Sequence, residues 1–235
     1  MTGSPLVSEP LFHLGPVPIT AAVATTWAIM AALILGAVLL TRRLTLLPSR
    51  AQSMLELLVG AVDDQIRDTL GADPAPYRPL IGGIFVFVLA ANWSSLVPGV
   101  EPPTAKLETD AALALVVFAA TIFYGVRTRG LLGWMKTFAE PSWVMIPLNL
   151  VEQITRTFSL VVRLFGNVMS GVFVVGIVLS LAGLLVPIPL MALDLLTGAV
   201  QAYIFAVLAT VFIGAAVGET EPPTADPDRK EPTPS

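Results

Sequence analysis

The residue with the clearest chemical potential is Arg163, a cation in the middle of a long apolar segment. It is the only charged residue between Arg156 and Asp194. Arginine stays protonated at any workable pH. Placing it at the centre of a bilayer costs roughly 2.5–3.5 kcal/mol on insertion scales. A permanent cation at that depth indicates a site where an anion is met or where an ion path is interrupted.

Polar side chains recur at helical spacing on both sides of this arginine. Steps of three and four residues place one set of polar residues on a single helix face. We call this set the first stripe: Glu152, Arg156, Ser159, Arg163, Asn167 and Ser170. A second stripe, in the last apolar segment, holds Asp194, Thr197 and Gln201. Such stripes are expected to turn away from lipid, towards each other, a water-filled cavity or another subunit.

The same residues also have more ordinary explanations. Arg163 could form a structural ion pair with Asp194. Arg156 could extend its guanidinium to the membrane interface. Serine and threonine hydroxyls in membrane helices often only join neighbouring helices, and glycines such as Gly171 often only permit close helix approach. A purely structural membrane anchor, however, would need neither Arg163 nor two matched stripes.

The composition is that of a membrane protein with several crossings. Of its 235 residues, 55% are hydrophobic and 13% charged, and the mean hydropathy is +0.80. These values exclude a soluble globular protein. Cysteine is absent and His13 is the only histidine, so we expect no disulfide and no metal site. There is no nucleotide-binding glycine loop and no nucleophile motif. We therefore expect no cofactor, no nucleic-acid partner and no enzymatic chemistry in this chain.

The hydropathy pattern predicts an all-α, polytopic protein with about five membrane-crossing helices. The predicted spans are residues 19–40, 80–97, 111–126, 143–185 and 190–217. Basic residues follow the first and third spans, whereas the loop 98–110 is acidic. The positive-inside rule therefore places the N-terminus outside and the C-terminus in the cytoplasm. No basic region precedes the first span, so no cleavable signal peptide is expected.

Residues 51–70 read as an amphipathic helix lying on the cytoplasmic surface. Its predicted apolar face consists of Met54, Leu55, Leu58, Val62 and Ile66. We divide the chain into an extracytoplasmic lead (1–18), a single membrane domain (19–218) and a disordered cytoplasmic tail (219–235).

The segment 143–185 is too long for an upright crossing. Some 40 helical residues would measure about 60 Å, twice the hydrocarbon thickness of about 30 Å. We predict one long, strongly tilted helix, a turn at Pro187 and Pro189, and a return helix, which together form an ion-channel hairpin over 143–217. This topology puts Glu152 near the cytoplasm, Arg163 and Gln201 at mid-membrane, and Asp194 outermost. Polar groups then approach Arg163 from both sides, as two aqueous half-paths separated by a fixed charge would require.

Two motifs carry a resemblance to a known family. Ser159-Leu-Val-Val-Arg-Leu-Phe-Gly-Asn167 resembles the Ser-Leu-x-x-Arg-Leu-Phe-Gly-Asn motif of subunit a of the F-type ATP synthase membrane sector. Gln201-Ala-Tyr-Ile-Phe205 is similar to that family's Gln-Ala-Phe/Tyr-Ile-Phe. Shorter supporting matches lie at 48–52, 87–98 and 103–115, so the resemblance covers about residues 48–217.

The resemblance implies a static subunit beside a rotating ring of c subunits, with peripheral-stalk b subunits and other ATP synthase subunits in the same complex. The membrane would be a bacterial inner membrane. Arg163 would be the essential cation, with Asn167 and Gln201 near the ring contact. The stripes would line the two half-paths, from Glu152 on the cytoplasmic side to Ser170 and Asp194 on the outer side.

The chain departs from the family pattern at two positions. Val172 stands where the family often has Glu or His, and Lys106 stands where it has Asp. Asp194 is thus left as the only ionisable group on the outer half of the last two helices, and the translocated ion could be a proton or a sodium ion. An independent secondary transporter or ion channel is the alternative function. Inverted repeats would favour it, and none are evident in the sequence.

Overall fold

A computed structural model describes residues 10–14, 17–42, 50–97, 100, 102–139, 146–182 and 186–218. Within these ranges a short β-hairpin precedes six α-helices. The hairpin pairs β1 (Pro10–Leu14) with β2 (Val17–Thr20). The helices are α1 (Ala21–Thr41), α2 (Arg50–Leu70), α3 (Arg78–Trp93), α4 (Leu107–Ala139), α5 (Ile146–Ala182) and α6 (Pro187–Val217). The all-α class predicted for the membrane domain is confirmed.

Five of these helices are long and apolar enough to cross a membrane, as predicted: α1, α3, α4, α5 and α6. The antiparallel hairpin, with Leu14 opposite Val17, lies mostly within the predicted lead 1–18, for which the sequence predicted no particular secondary structure. Both strands of a two-stranded sheet are edge strands, so the missing N–H groups of their prolines are tolerated. The tail 219–235 lies outside the described residues.

Two predicted helix boundaries were wrong. The third span was predicted to begin at residue 111, after an acidic loop, but α4 already begins at Leu107 and carries Glu108 and Asp110 in its first turn. Pro187 and Pro189 were predicted to form a turn, but they belong to the first turn of α6. Proline is tolerated there because the first N–H groups of a helix have no intrahelical acceptor.

The prediction of one continuous long helix is confirmed for the part of 143–185 that the structure describes. Helix α5 runs unbroken for 37 residues, which is about 55 Å at 1.5 Å per residue. Pro147 lies in its first turn, where proline is tolerated. Helix α6 packs antiparallel against α5, so the two form the predicted hairpin.

The core lies where α3, α4, α5 and α6 meet. Its most buried members come from all four helices and include Val88, Val117, Leu160, Leu164 and Phe205. On α6 the buried positions recur every three or four residues, and several of them are alanines. Small side chains let neighbouring backbones approach closely. Within a bilayer the hydrophobic effect does not drive helices together, so this close van der Waals packing stabilises their association. This core sets the rotation of α5 and α6 about their axes.

The amphipathic helix α2 docks on the bundle through its second half. Ile66 is buried there in a cluster with Ile81 of α3 and Ile213 of α6. Met54, in the first half of α2, is 74% exposed, so this part of the predicted apolar face is not covered by the other described helices.

Two polar contacts hold α2 in place. Arg78, at the start of α3, donates two hydrogen bonds to the Asp63 carboxylate, at 2.5 and 2.6 Å. The Tyr203 hydroxyl of α6 donates to the side-chain oxygen of Gln65 at 2.7 Å. A two-point arginine–carboxylate contact fixes orientation as well as distance, so it holds α2 at a set angle to α3.

We expect Asp63→Asn to loosen α2 without unfolding the bundle. Losing this partly exposed ion pair should cost about 1 kcal/mol, the upper range for such pairs. Hydrogen exchange of the α2 amides in lipid nanodiscs should therefore rise severalfold. Asp64→Asn is the matched control, since Asp64 pairs only within α2, with Arg67. Equal exchange in the two variants would contradict a docking role for Asp63.

Candidate functional site

The inner part of the first stripe lines a groove between α5 and α6. The groove has a volume of about 630 Å³. Helix α5 contributes Glu152, Arg156, Ser159 and Arg163 to its wall, and α6 contributes the apolar side chains of Leu208 and Phe212. Four of the six first-stripe residues are thus brought to one surface, as their spacing predicted. The groove offers an open polar approach to Arg163 along α5.

Within this groove Arg156 is held by the protein. Its guanidinium forms an ion pair with Glu152, one turn earlier on α5. The guanidinium carbon lies 5.6 Å from the centroid of the Phe212 ring, within the range of a cation–π contact. Arg156 is therefore anchored to both helices, and the membrane interface alone does not set its position.

Arg163 itself is exposed and carries no ion pair or hydrogen bond to any other residue in the described part of the chain. The neighbouring Leu160 and Leu164 are buried in the core. They fix the rotation of α5 so that Arg163 points out of the bundle. The ordinary explanation, a structural ion pair with Asp194, is wrong for this structure. The guanidinium remains available to an anion outside this chain.

The outer part of the first stripe faces the second stripe. Asn167 and Ser170 of α5 border a cavity of about 200 Å³ together with Asp194 and Thr197 of α6. The Ser170 hydroxyl donates to the Asn167 carbonyl at 2.8 Å, and the Thr197 hydroxyl donates to the Asp194 carbonyl at 3.0 Å. Both hydroxyls are thus engaged with their own helix backbones, and Asp194 supplies the only ionisable side chain on this cavity wall.

The Asp194 carboxyl lies directly against the backbone of α5 at Gly171. A Cβ atom added to Gly171 would lie 2.0 Å from Oδ1 and 2.8 Å from Cγ of Asp194. Any larger residue would therefore displace the carboxyl. On its other side the carboxyl accepts a hydrogen bond, at 3.3 Å, from the hydroxyl of Ser95 in the turn that follows α3. At Gly171 the glycine makes room for a carboxyl group and not merely for a neighbouring helix.

A second cavity of about 200 Å³ opens on the other side of Gly171, bordered by Ser95, Val100 and Asp194. Asp194 therefore touches both outer cavities. A charged or titrating group in that position can exchange an ion with either of them.

Gln201 lies inside the subunit and is only 6% exposed. Its side-chain nitrogen has no acceptor among the described residues. The amide sits beside Ala202 and Phe205 of the core. Gln201 lies behind the α5–α6 surface because α6 packs with this face towards the core. The stripe pattern in the sequence did not show this.

Sequence reasoning missed a buried polar connection between α3 and α6. The Asn92 side chain donates to the Gly198 carbonyl at 2.9 Å and accepts a hydrogen bond from the Thr104 hydroxyl at 2.8 Å. The indole of Trp93 donates to the Leu195 carbonyl at 3.2 Å. An asparagine within an apolar span was the available signal, but its partner on α6, Gly198, lies 106 residues away in the chain.

Comparison with known proteins gives a consistent result. The family model described as ATP synthase A chain matches residues 23–214. ATP synthase subunit a 2 of Bradyrhizobium sp. strain BTAi1 is 59% identical over 218 residues, covering 93% of this chain and 98% of the relative. ATP synthase subunit a 1 of Chlorobaculum tepidum is 46% identical, over 88% of this chain and 94% of the relative.

A third relative is the ATP synthase subunit a of Albidiferax ferrireducens, 44% identical over 88% of this chain and 91% of its own length. The matched region contains both stripes and both motifs, and it includes all or nearly all of each of the five spans. Since the similarity extends over most of this chain and nearly the full length of each relative, the chain belongs to the ATP synthase A chain family.

Proposed function

We propose that this chain carries protons or sodium ions to and from the carboxylates of a rotating c ring, through two half-paths that end on either side of Arg163. As a subunit a, the chain is a non-catalytic, ion-translocating stator subunit of the membrane sector and works in a complex with other ATP synthase subunits. This family membership does not favour the alternative, an independent transporter or channel. The observation that carries the proposal is Arg163, which is exposed and has no partner among the described residues; it lies in the wall of the inner groove, one turn from Asn167, which borders the outer cavity.

The role of Arg163 follows from the cost of a bare charge in lipid. A ring carboxylate that faces lipid has to be neutralised, by a proton or a bound cation. Beside a fixed guanidinium the ionised carboxylate is favoured, so the ring site releases its ion there. The same positive charge repels ions that would otherwise pass straight from one half-path to the other. Rotation then follows because each ion enters on one side of Arg163 and leaves on the other.

We assign the two half-paths to the two sets of cavities. The inner half-path follows the groove that contains Glu152 and Ser159, where the Glu152–Arg156 pair forms the polar entrance. The outer half-path passes Asp194, Asn167 and Ser170. Each elementary charge that crosses about 100 mV of membrane potential supplies roughly 2.3 kcal/mol.

The ring contact is proposed for the exposed face of α5. Arg163 and Asn167 would meet the ring directly. Gln201 was expected at the ring contact, but it is buried behind that face, so we propose that its amide supports the contact region from inside the subunit.

The remaining assignments are also proposals. The chain is an integral membrane protein with five apolar helices long enough to span a membrane. We propose a bacterial inner membrane, with the N-terminus outside and the C-terminal tail 219–235 in the cytoplasm. The lead 1–18 would then be extracytoplasmic, and residues 19–218 would form a single membrane domain in contact with peripheral-stalk b subunits.

Arg163→Ala should abolish ion-driven ATP synthesis while the complex still assembles. Loss of one preorganised charge at a reacting centre typically costs about 100-fold or more. Arg163→Lys should also fail, because an ammonium lacks the planar fork and loses its proton more readily when desolvated. Synthesis rates in membrane vesicles test this, with Arg127→Ala, an exposed arginine of α4 outside the groove, as control. Normal synthesis by an assembled Arg163→Ala complex would remove the proposed mechanism.

Asp194→Asn should slow ATP synthesis by about tenfold or more, because a positioned proton-transfer group commonly contributes that much. Asp194→Glu should be tolerated best, since it keeps the charge. Thr197→Val is the control. It changes the same cavity wall but removes only a hydroxyl bonded to its own helix. Rates are compared at matched driving force, and equal rates for Asp194→Asn and the parent would place the outer path elsewhere.

Gly171→Ala should impair synthesis severalfold although the residue carries no charge. Its methyl group would occupy the position of the Asp194 carboxyl, so the outer ion concentration needed for half-maximal synthesis should rise. Gly176→Ala is the matched control on the same helix, because a Cβ there meets nothing within 4 Å. If both variants shift the half-maximal concentration equally, contact with Asp194 is not the cause.

A further inference from the structure

A second carboxyl group is buried at the end of the bundle where α6 begins. Asp110 was predicted to lie in an acidic loop, but it belongs to the first turn of α4 and is 0% exposed. Neither of its side-chain oxygens accepts a hydrogen bond from any described residue. Its backbone N–H is satisfied by the Lys106 carbonyl at 3.3 Å, so only the carboxyl lacks a partner.

A buried carboxylate without a partner is strongly unfavourable, so it has to be neutralised. This chain alone already encloses Asp110, which leaves another subunit no room to supply an arginine or lysine. Among the described residues no side chain donates to the carboxyl. The neutralising partner is therefore small enough to fit inside the bundle, which restricts it to a monovalent cation, either a proton or a sodium ion.

Asp110 lies in the same region of the bundle as the outer polar groups. On α4 it shares a face with Ala114 and Val117, which lie one and two turns further along and are buried against α5 and α6. The turn just before α4 holds Thr104, which is buried and bonded to Asn92. Asn92 in turn bonds the Gly198 carbonyl, one turn from Asp194 on α6.

The same end of the bundle therefore contains both carboxyl groups. Helix α3 ends beside the beginning of α6, as the bond from Trp93 to the Leu195 carbonyl shows, and α4 begins shortly after α3 ends. The groups that face this region are Asn92 of α3, Ser95 of the turn after α3, Thr104 of the turn before α4 and Asp194 of α6. Lys106 and the exposed Glu108 belong to the same stretch as Asp110.

We propose that Asp110 is a second ion-holding carboxylate of the outer half-path, which takes a monovalent cation from the outer side and exchanges it with Asp194. The inference rests on the proposed function. No bond is made or broken other than the association of the cation. One cation enters at Asp110 for each one that Asp194 passes on, so the charge of the path is unchanged after each transfer.

The test measures ATP synthesis by the whole complex in membrane vesicles as a function of the ion concentration on the outer side. In one arm the sodium concentration varies at fixed pH, and in the other the pH varies at fixed sodium. Asp110→Asn should raise the half-maximal concentration by about tenfold, the factor that corresponds to one pKa unit of differential interaction. The arm in which the curve shifts identifies the cation.

Glu108→Gln is the matched control, because it removes an exposed carboxyl from the same helical turn. It should leave the half-maximal concentration unchanged. Asp110→Glu should stay closer to the parent than Asp110→Asn, since it keeps the charge.

An unchanged curve for an assembled Asp110→Asn complex would overturn the inference. Asp110→Thr serves as a second neutral variant, and failure of both to assemble would show that the carboxyl is structural, which also overturns it. Arg163→Ala separates this inference from the function on which it rests. An inactive Arg163→Ala complex with a normal Asp110→Asn curve would reject only the role of Asp110, whereas an active Arg163→Ala complex would reject the function.

Discussion

One constraint organises the molecule: the guanidinium of Arg163 is permanently charged and has no counter-charge within the described chain. A lone cation in an apolar helix is tolerated only if it reaches water or an external anion. The helix that carries it therefore has to keep a constant rotation over a long distance. Leu160 and Leu164, buried on the neighbouring face of α5, provide that. The groove beside α6 then gives the charge its polar surroundings.

The outer side differs from the inner groove, because its carboxyl group lies directly against the backbone of a neighbouring helix. The Asp194 carboxyl rests on Gly171 and is held by Ser95. Asn92 and Thr104 join α3 to α6 a few residues away. In a medium without water, each such bond removes an otherwise unsatisfied polar group. The outer polar region is thus held rigidly by three helices, whereas the inner groove is open along two.

The surrounding elements position the hairpin of α5 and α6. Small residues on α6 let α3 and α4 approach it closely, and Phe205 fills the centre of the contact. Helix α2 supports α6 from one side through Ile66 and through the bond between Gln65 and Tyr203. Because several helices contact α6, the second stripe is held at a set rotation relative to Arg163, as separated half-paths require.

The sequence by itself determined the class, the number of spans, the continuity of α5 and the alignment of the first stripe. Each depends on hydropathy or on helical period, which are local properties that a residue's neighbours in the chain already decide. The motifs around Arg163 and Gln201 could also be recognised from the sequence, because each is a continuous stretch of residues.

Only the tertiary structure decided which face of each helix is enclosed. It placed Gln201 inside, left Met54 exposed, buried Asp110 and put the Asp194 carboxyl on Gly171. It also ruled out the alternative of an Arg163–Asp194 ion pair, because among the described residues the two charged groups have separate surroundings. These outcomes depend on contacts between segments that are far apart in the chain. A helical period states which residues share a face, but not which neighbouring helix covers that face or whether water, lipid or another subunit does.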